Sequence, residues 1–150
     1  MVKDALKFFH AYINEMIDLG GKDLPRSVST ALGAKLANIY KRKGINNLET
    51  ALYQIYKVIS SKVSIKKIDE NTYDVILKHS KRFCPIGGKK NPNIAKTIQE
   101  SICFPYTRSF LATLLPNYMF ESEIKECILE DSSNRHCHYV LKVKAKNRKS

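Results

Sequence analysis

Apolar residues recur with a helical period at the start of the chain. Between Asp4 and Leu19, residues Leu6, Phe9, Ile13, Met16 and Ile17 fall on one face, and Gly20-Gly21 ends the run. Pro25 suits the first turn of a second helix, Arg26 to Arg42, which Gly44 terminates. Its expected apolar face is Val28, Leu32, Leu36, Ile39 and Tyr40, while Ala31, Gly33, Ala34 and Ala37 keep it narrow enough for a close neighbour. Asn46 and Glu49 resemble a capping box. They open a third helix reaching Ile59, with Leu48, Leu52, Ile55 and Tyr56 inward.

The period then changes to two. Val63 and Ile65, then Tyr73, Val75 and Leu77, alternate with polar residues about a turn at Asp69-Glu70-Asn71. A loop from Lys81 to Asn93 carries Cys84-Pro85-Ile86-Gly87-Gly88. Helical patterning resumes from Ile94 to Leu115 with a break expected at Pro105, and Pro116-Asn117 ends it. Tyr118 to Glu130 and His136 to Lys146 read as a final hairpin turning about Ser132. Helices, hairpin, helices, hairpin is an α+β order, with N-terminal helices packed on a four- to five-stranded antiparallel sheet. The length of 150 residues fits one domain, with residues 147–150 a frayed tail.

Charge and chemistry narrow the function. The net charge of +12 suits a nucleic acid, an anionic membrane surface or an acidic partner. The densest clusters are Lys41-Arg42-Lys43, Lys78 to Lys90 and Lys142 to Lys149. No helix-turn-helix signature or aromatic RNA-binding strand accompanies them, so nucleic acid is not the favoured partner. No segment has the length and apolarity of a membrane span. The N-terminus carries Asp4, Glu15 and Asp18 and has no secretory or lipidation pattern, so a cytoplasmic location is expected, where thiols stay reduced. No nucleophile elbow, P-loop, dinucleotide glycine motif or pair of carboxylates on one helix face is present, and no catalytic residue is assigned.

In a reducing compartment the four cysteines read as metal-binding or redox-active before they read as disulfides. A hairpin turning about Ser132 sets Cys127 opposite Cys137, with Tyr139, Leu141 and Val143 on the face of Cys137 and Lys142 and Lys144 on the other. Cys103 lies near a helix end, and Cys84 lies in a loop able to bend toward a metal. Four thiolates favour zinc, or iron, over harder cations, and as zinc ligands they leave no open position. Lys81, Arg82, Lys89, Lys90 and Lys125 are near in sequence to offset the excess negative charge. For each cysteine the alternative is an inert buried thiol. His136 and His138 should face away from Cys137, and His79 and His10 carry no functional expectation. Haem is not expected, because no histidine sits on an apolar helical face, and neither is a nucleotide.

These residues resemble the 4-vinyl-reductase-type, or hydrocarbon-binding, small-molecule domain. The likeness lies in Cys103-Phe104-Pro105 at a helix end, the apolar helix Tyr106 to Leu115, an acidic strand with Glu121 and Glu123, and Cys127 and Cys137 on a hairpin continuing His138-Tyr139-Val140. Leu24-Pro25 and Ala31-Leu32-Gly33 extend it over nearly the whole chain. It implies the fold shared distantly with nitric oxide sensors and Golgi-transport (vesicle-tethering) subunits, a homodimer, and a hydrophobic cavity walled by Tyr40, Tyr53, Phe104, Tyr106, Phe110 and Leu114. In relatives a helix-end Cys, a strand Glu and two hairpin Cys bind zinc. Cys103, Cys127 and Cys137 match, but the spacing from Glu121 or Glu123 to Cys127 departs from the pattern, which favours Cys84 as the fourth ligand. The resemblance thus implies a domain that binds or senses a hydrophobic small molecule and carries a structural zinc. A basic nucleic-acid-associated protein and a thiol redox sensor are the alternatives.

Overall fold

The computed structural model describes residues 2–59, 61–79, 84, 88, 91–130 and 136–146. Helices α1 (Val2–Gly20), α2 (Asp23–Arg42) and α3 (Leu48–Val58) precede strands β1 (Lys62–Asp69) and β2 (Thr72–Lys78). Helix α4 (Pro92–Ile98), a π-helical turn (Gln99–Cys103) and α5 (Phe104–Leu114) precede β3 (Tyr118–Glu126) and β4 (Cys137–Ala145). The strands form one antiparallel sheet in the order β1-β2-β4-β3, so the expected α+β layout is the observed one. Among the described residues no helix is long and apolar enough to cross a membrane.

Alternation along the strands decides which face the helices cover. Val75, Leu77, Phe120, Tyr139 and Leu141 meet Leu52, Ile55, Tyr56, Phe110 and Leu111 in the main core. The opposite face exposes Lys62, Lys66, Lys78, Lys142 and Lys144. A second core, under one end of the sheet, gathers Ile13, Ala95, Ile98, Ile102, Ile128 and Leu129 around Cys84 and Cys127.

Three local readings need correction. The cap of α3 is Asn47, whose side chain accepts from the Thr50 N–H at 3.1 Å, and not Asn46. The buried stripe of α2 is Ser29, Gly33, Ala37 and Tyr40, whereas Val28, Leu32 and Ile39 are exposed. Close approach explains the inversion: a Cβ built on Gly33 would lie 2.5 Å from the Tyr106 carbonyl oxygen and 3.0 Å from the Phe110 nitrogen. Only the small-residue face of α2 can sit against the backbone of α5. Finally, Pro105 widens the helical run where a break was expected. Proline has no N–H to give the fourth residue back and its ring crowds that carbonyl. The chain answers with a π turn, in which the Phe104 N–H reaches Gln99 O, five residues back.

The last hairpin has a comparable insertion. From Tyr118↔Ala145 to Ile124↔Tyr139 the register runs one residue away from opposing the cysteines. A bulge at Lys125 then makes Glu126 face His138, so the next step along both strands brings Cys127 opposite Cys137. The turn about Ser132 and residues 147–150 lie outside the described residues.

Gly33→Ala should lower stability by about 1–3 kcal/mol, because the new methyl meets backbone that cannot turn aside. Ala34→Gly on the same helix should cost about 1 kcal/mol or less, from propensity alone. Urea midpoints of the two variants check the difference.

Candidate ligand cavity and thiol cluster

Between the helices and the inner face of the sheet lies a cavity of about 300 Å³. That is the lower end of the roughly 300–1,000 Å³ typical of small-molecule sites. Leu32 of α2, Ile55 of α3, Leu77 of β2, Ile98 of α4, Ile102 of the π turn and Ile124 of β3 form its apolar wall. Of the residues named from the sequence, Phe104 and Tyr106 line it. Tyr40, Phe110 and Leu114 belong to the main core, where Tyr40 packs edge-on to Phe110 at 5.7 Å between ring centroids. Tyr53 is 49% exposed.

All four cysteines line this one cavity and none is in a disulfide. Each comes from a different part of the chain: Cys84 from the segment after β2, Cys103 from the π turn, Cys127 from just beyond β3, Cys137 from the start of β4. Cys84 is clamped, its N–H and C=O exchanging bonds of 2.9 and 2.8 Å with Gly88. Gly88 has φ +84°, and a Cβ there would lie 2.5 Å from the His10 ring, so glycine is required twice over. The His10 ring is itself held by the Asn14 amide at 2.8 Å.

The thiols differ in their proton affinity. Burial pushes Cys103 up, and the charges of Cys84 and Cys127 push it further. Cys127 is drawn down chiefly because the Cys137 S–H donates to it, with the Leu129 N–H and the Gln99 side chain assisting against burial. The same bond, then burial, holds Cys137 protonated. Of the pair, Cys127 is thus the more acidic partner and Cys137 its proton donor. Among the described residues no three Cys, His, Asp or Glu side chains are grouped so as to hold a metal ion. Glu121 and Glu123 are exposed, and Glu123 pairs with Lys125 at 3.0 Å. His136 and His138 pair with Glu126 at 3.2 Å and Asp74 at 3.1 Å. Lys81, Arg82, Lys89, Lys90 and Pro85 to Gly87 lie outside the described residues.

Two polar features were not singled out from the sequence. Tyr56 and Tyr139 join hydroxyls at 2.6 Å inside the cavity wall, and burial raises Tyr56 to about 12. His79, also in the wall, has its Nδ1 held by the Ser61 hydroxyl at 2.5 Å. Burial lowers its pKa to about 4. The hairpin register contained this signal, since Lys62 faces Lys78 and the next residues outward are Ser61 and His79.

Two consequences can be measured. His79 takes its proton near pH 6.5 when unfolded and near 4 when folded, so its contribution is complete above pH 6.5 and is lost as pH falls toward 4. The loss should approach about 3 kcal/mol by linkage, and His79→Gln should flatten the stability profile across that window. Cys137→Ala should remove the S–H donor and raise the alkylation midpoint of Cys127 by about one pH unit or more, read from pH-dependent iodoacetamide rates with peptide mapping.

No family model matches the chain, and no curated protein matches its sequence. Among solved structures the chain is similar to trafficking protein particle complex subunit 3 from Naegleria fowleri, solved covalently bound to palmitic acid. The TM-score is 0.65 at 12% sequence identity, over 99% of this chain and 98% of that one. At that identity the likeness establishes a shared fold, and that fold is α+β, as expected from the sequence.

Proposed function

We propose that this chain is a binding or sensory domain for a hydrophobic small molecule held between its helices and its sheet. The observation that carries the reading is the apolar cavity of about 300 Å³, lined by side chains of six elements and left unfilled by them. A concave, mostly apolar space of this size is the usual form of a small-molecule site. The similar trafficking subunit with its palmitic acid lends support, because it has this fold over its whole length.

Ser122→Phe tests the reading. Ser122 is a half-buried β3 position in the cavity wall, and an aromatic suits a strand. The variant should keep or raise the melting temperature and lose displacement of an environment-sensitive apolar dye by long-chain hydrocarbons. Undiminished displacement in a folded Ser122→Phe would sink the proposal.

A second reading adds structural zinc at Cys84, Cys103, Cys127 and Cys137. It is favoured by the convergence of four thiols from four parts of the chain and by the clamp that fixes Cys84. The thiols would have to draw together around the ion, which would then tie the final hairpin to the π turn without catalysing anything. Protein purified without added metal should hold about one zinc per chain, with its thiols protected until unfolding. Metal-free protein with freely titrating thiols would remove the zinc and leave the cavity reading intact.

A further inference from the structure

Helix α1 is thinly anchored in its own chain. Of its described side chains Ile13 alone is buried, while Phe8 is 74% exposed, Tyr12 59% and Leu19 81%. A helix in a protein draws most of its stability from packing an apolar face, so a 19-residue helix held this way calls for a further surface to pack on. Phe8, Tyr12, Glu15 and Leu19 share one side of it at helical spacing, and Phe8 stacks on Tyr12 with ring centroids 6.5 Å apart. Helix α2 exposes a second stripe, Leu24, Val28, Leu32 and Ile39. With Phe9, the exposed parts of these side chains amount to on the order of 800 Å², taking about 200 Å² for a large side chain fully exposed. The largest apolar patch on an ordinary monomer is about 300–600 Å². Each partner in a stable interface gives about 800 Å².

Charge selects the occupant. Helix α1 carries Asp4, Glu15 and Asp18 against Lys3 and Lys7, whereas α2 carries Arg26, Lys35, Lys41 and Arg42 against Asp23. The face therefore holds its own complement. A second copy related by a twofold axis lays its acidic α1 on this basic α2, and symmetry supplies the reverse contact. An anionic lipid surface suits the face less well, because a helix docked there is basic at its polar positions and Glu15 stands in the apolar stripe.

The same face contains the mouth of the cavity. Phe9 of α1 and Leu32 of α2 line the cavity and are 41% and 50% exposed, so the space reaches the surface between these helices. Resting on the apolar-ligand reading of the cavity, we propose that the outer face of α1 and α2 binds a second copy of this chain, and that this copy closes the mouth between Phe9 and Leu32. Pairing and ligand binding are then linked, each strengthening the other, and the closed pair holds its ligand longer than the single chain does.

Sedimentation velocity and stopped-flow release of aminoanthracene, an uncharged fluorescent probe, test this on the full chain. The wild-type protein should be a dimer at micromolar concentration. Phe8→Ser with Leu19→Ser, at exposed positions outside the cavity wall, should give a folded monomer that releases the probe about tenfold faster. Glu15→Lys with Asp18→Lys should also be monomeric, as should Arg26→Glu with Lys35→Glu, and mixing these two proteins should restore a dimer with slow release. A monomeric wild-type protein, or a dimer that survives all three pairs of substitutions, overturns the interface. A monomeric wild-type protein that binds phosphatidylserine vesicles, and loses them with Phe8→Ser and Leu19→Ser, gives the face to a membrane and overturns it too. A folded monomeric variant that releases the probe at the wild-type rate overturns closure of the mouth. Failure of every form to bind the probe sinks the cavity reading, and sedimentation then still decides the interface.

Discussion

The contact of α2 with α5 sets the geometry on which everything else rests. With Gly33 against the Tyr106 carbonyl and the Phe110 nitrogen, the two helices meet backbone to backbone. Phe110 and Leu111, both fully buried, are then available to the sheet. The helix pair fills the main core, whereas toward Cys103 the π turn replaces α5 and the wall is built of separate side chains. The cavity lies at that change, where close helix packing ends and the second core begins.

Electrostatics then differentiate groups that composition treats alike. The cysteines share one wall, but a single S–H bond separates Cys127, which is drawn toward the thiolate, from Cys137, which is held protonated. Burial alone keeps His79 uncharged. In an apolar enclosure these hydrogen bonds are stronger than in water, and an unmet one is correspondingly costly. No Lys or Arg lines the cavity among the described residues, and Lys62, Lys66, Lys78, Lys142 and Lys144 lie on the exposed face of the sheet.

The fold was legible because both periods were strong. The alternation of Val63, Ile65, Val75 and Leu77, and the helical spacing of Leu52, Ile55 and Tyr56, led directly to strands and helix. The buried face of α2 was misread because hydrophobicity points to Leu32 and Ile39, whereas backbone proximity selects Gly33 and Ala37. Of the expected cavity wall, Phe104 and Tyr106 face the space, while Tyr40, Phe110 and Leu114 are in the core, a distinction of depth that periodicity cannot make. His79 was passed over because an isolated histidine at a strand end has no motif. Its meaning comes from the cross-strand Ser61 and from burial.

Two single-residue insertions explain how thiols from distant parts of the chain come to one wall. The π turn forced by Pro105 closes on Cys103, and without the extra residue the helix would rotate that side chain by about 100°, one residue's turn of an α-helix. The bulge at Lys125 precedes Cys127, and without it Glu126 in place of Cys127 would oppose Cys137. Each irregularity departs from ideal geometry immediately before a cysteine and turns that cysteine toward the cavity. Regular elements suffice to build the core, so the value of these departures lies in what they orient. An unbroken helix and an even ladder would bring other side chains to these two points of the wall, so the two irregularities decide that Cys103 and Cys127 line it.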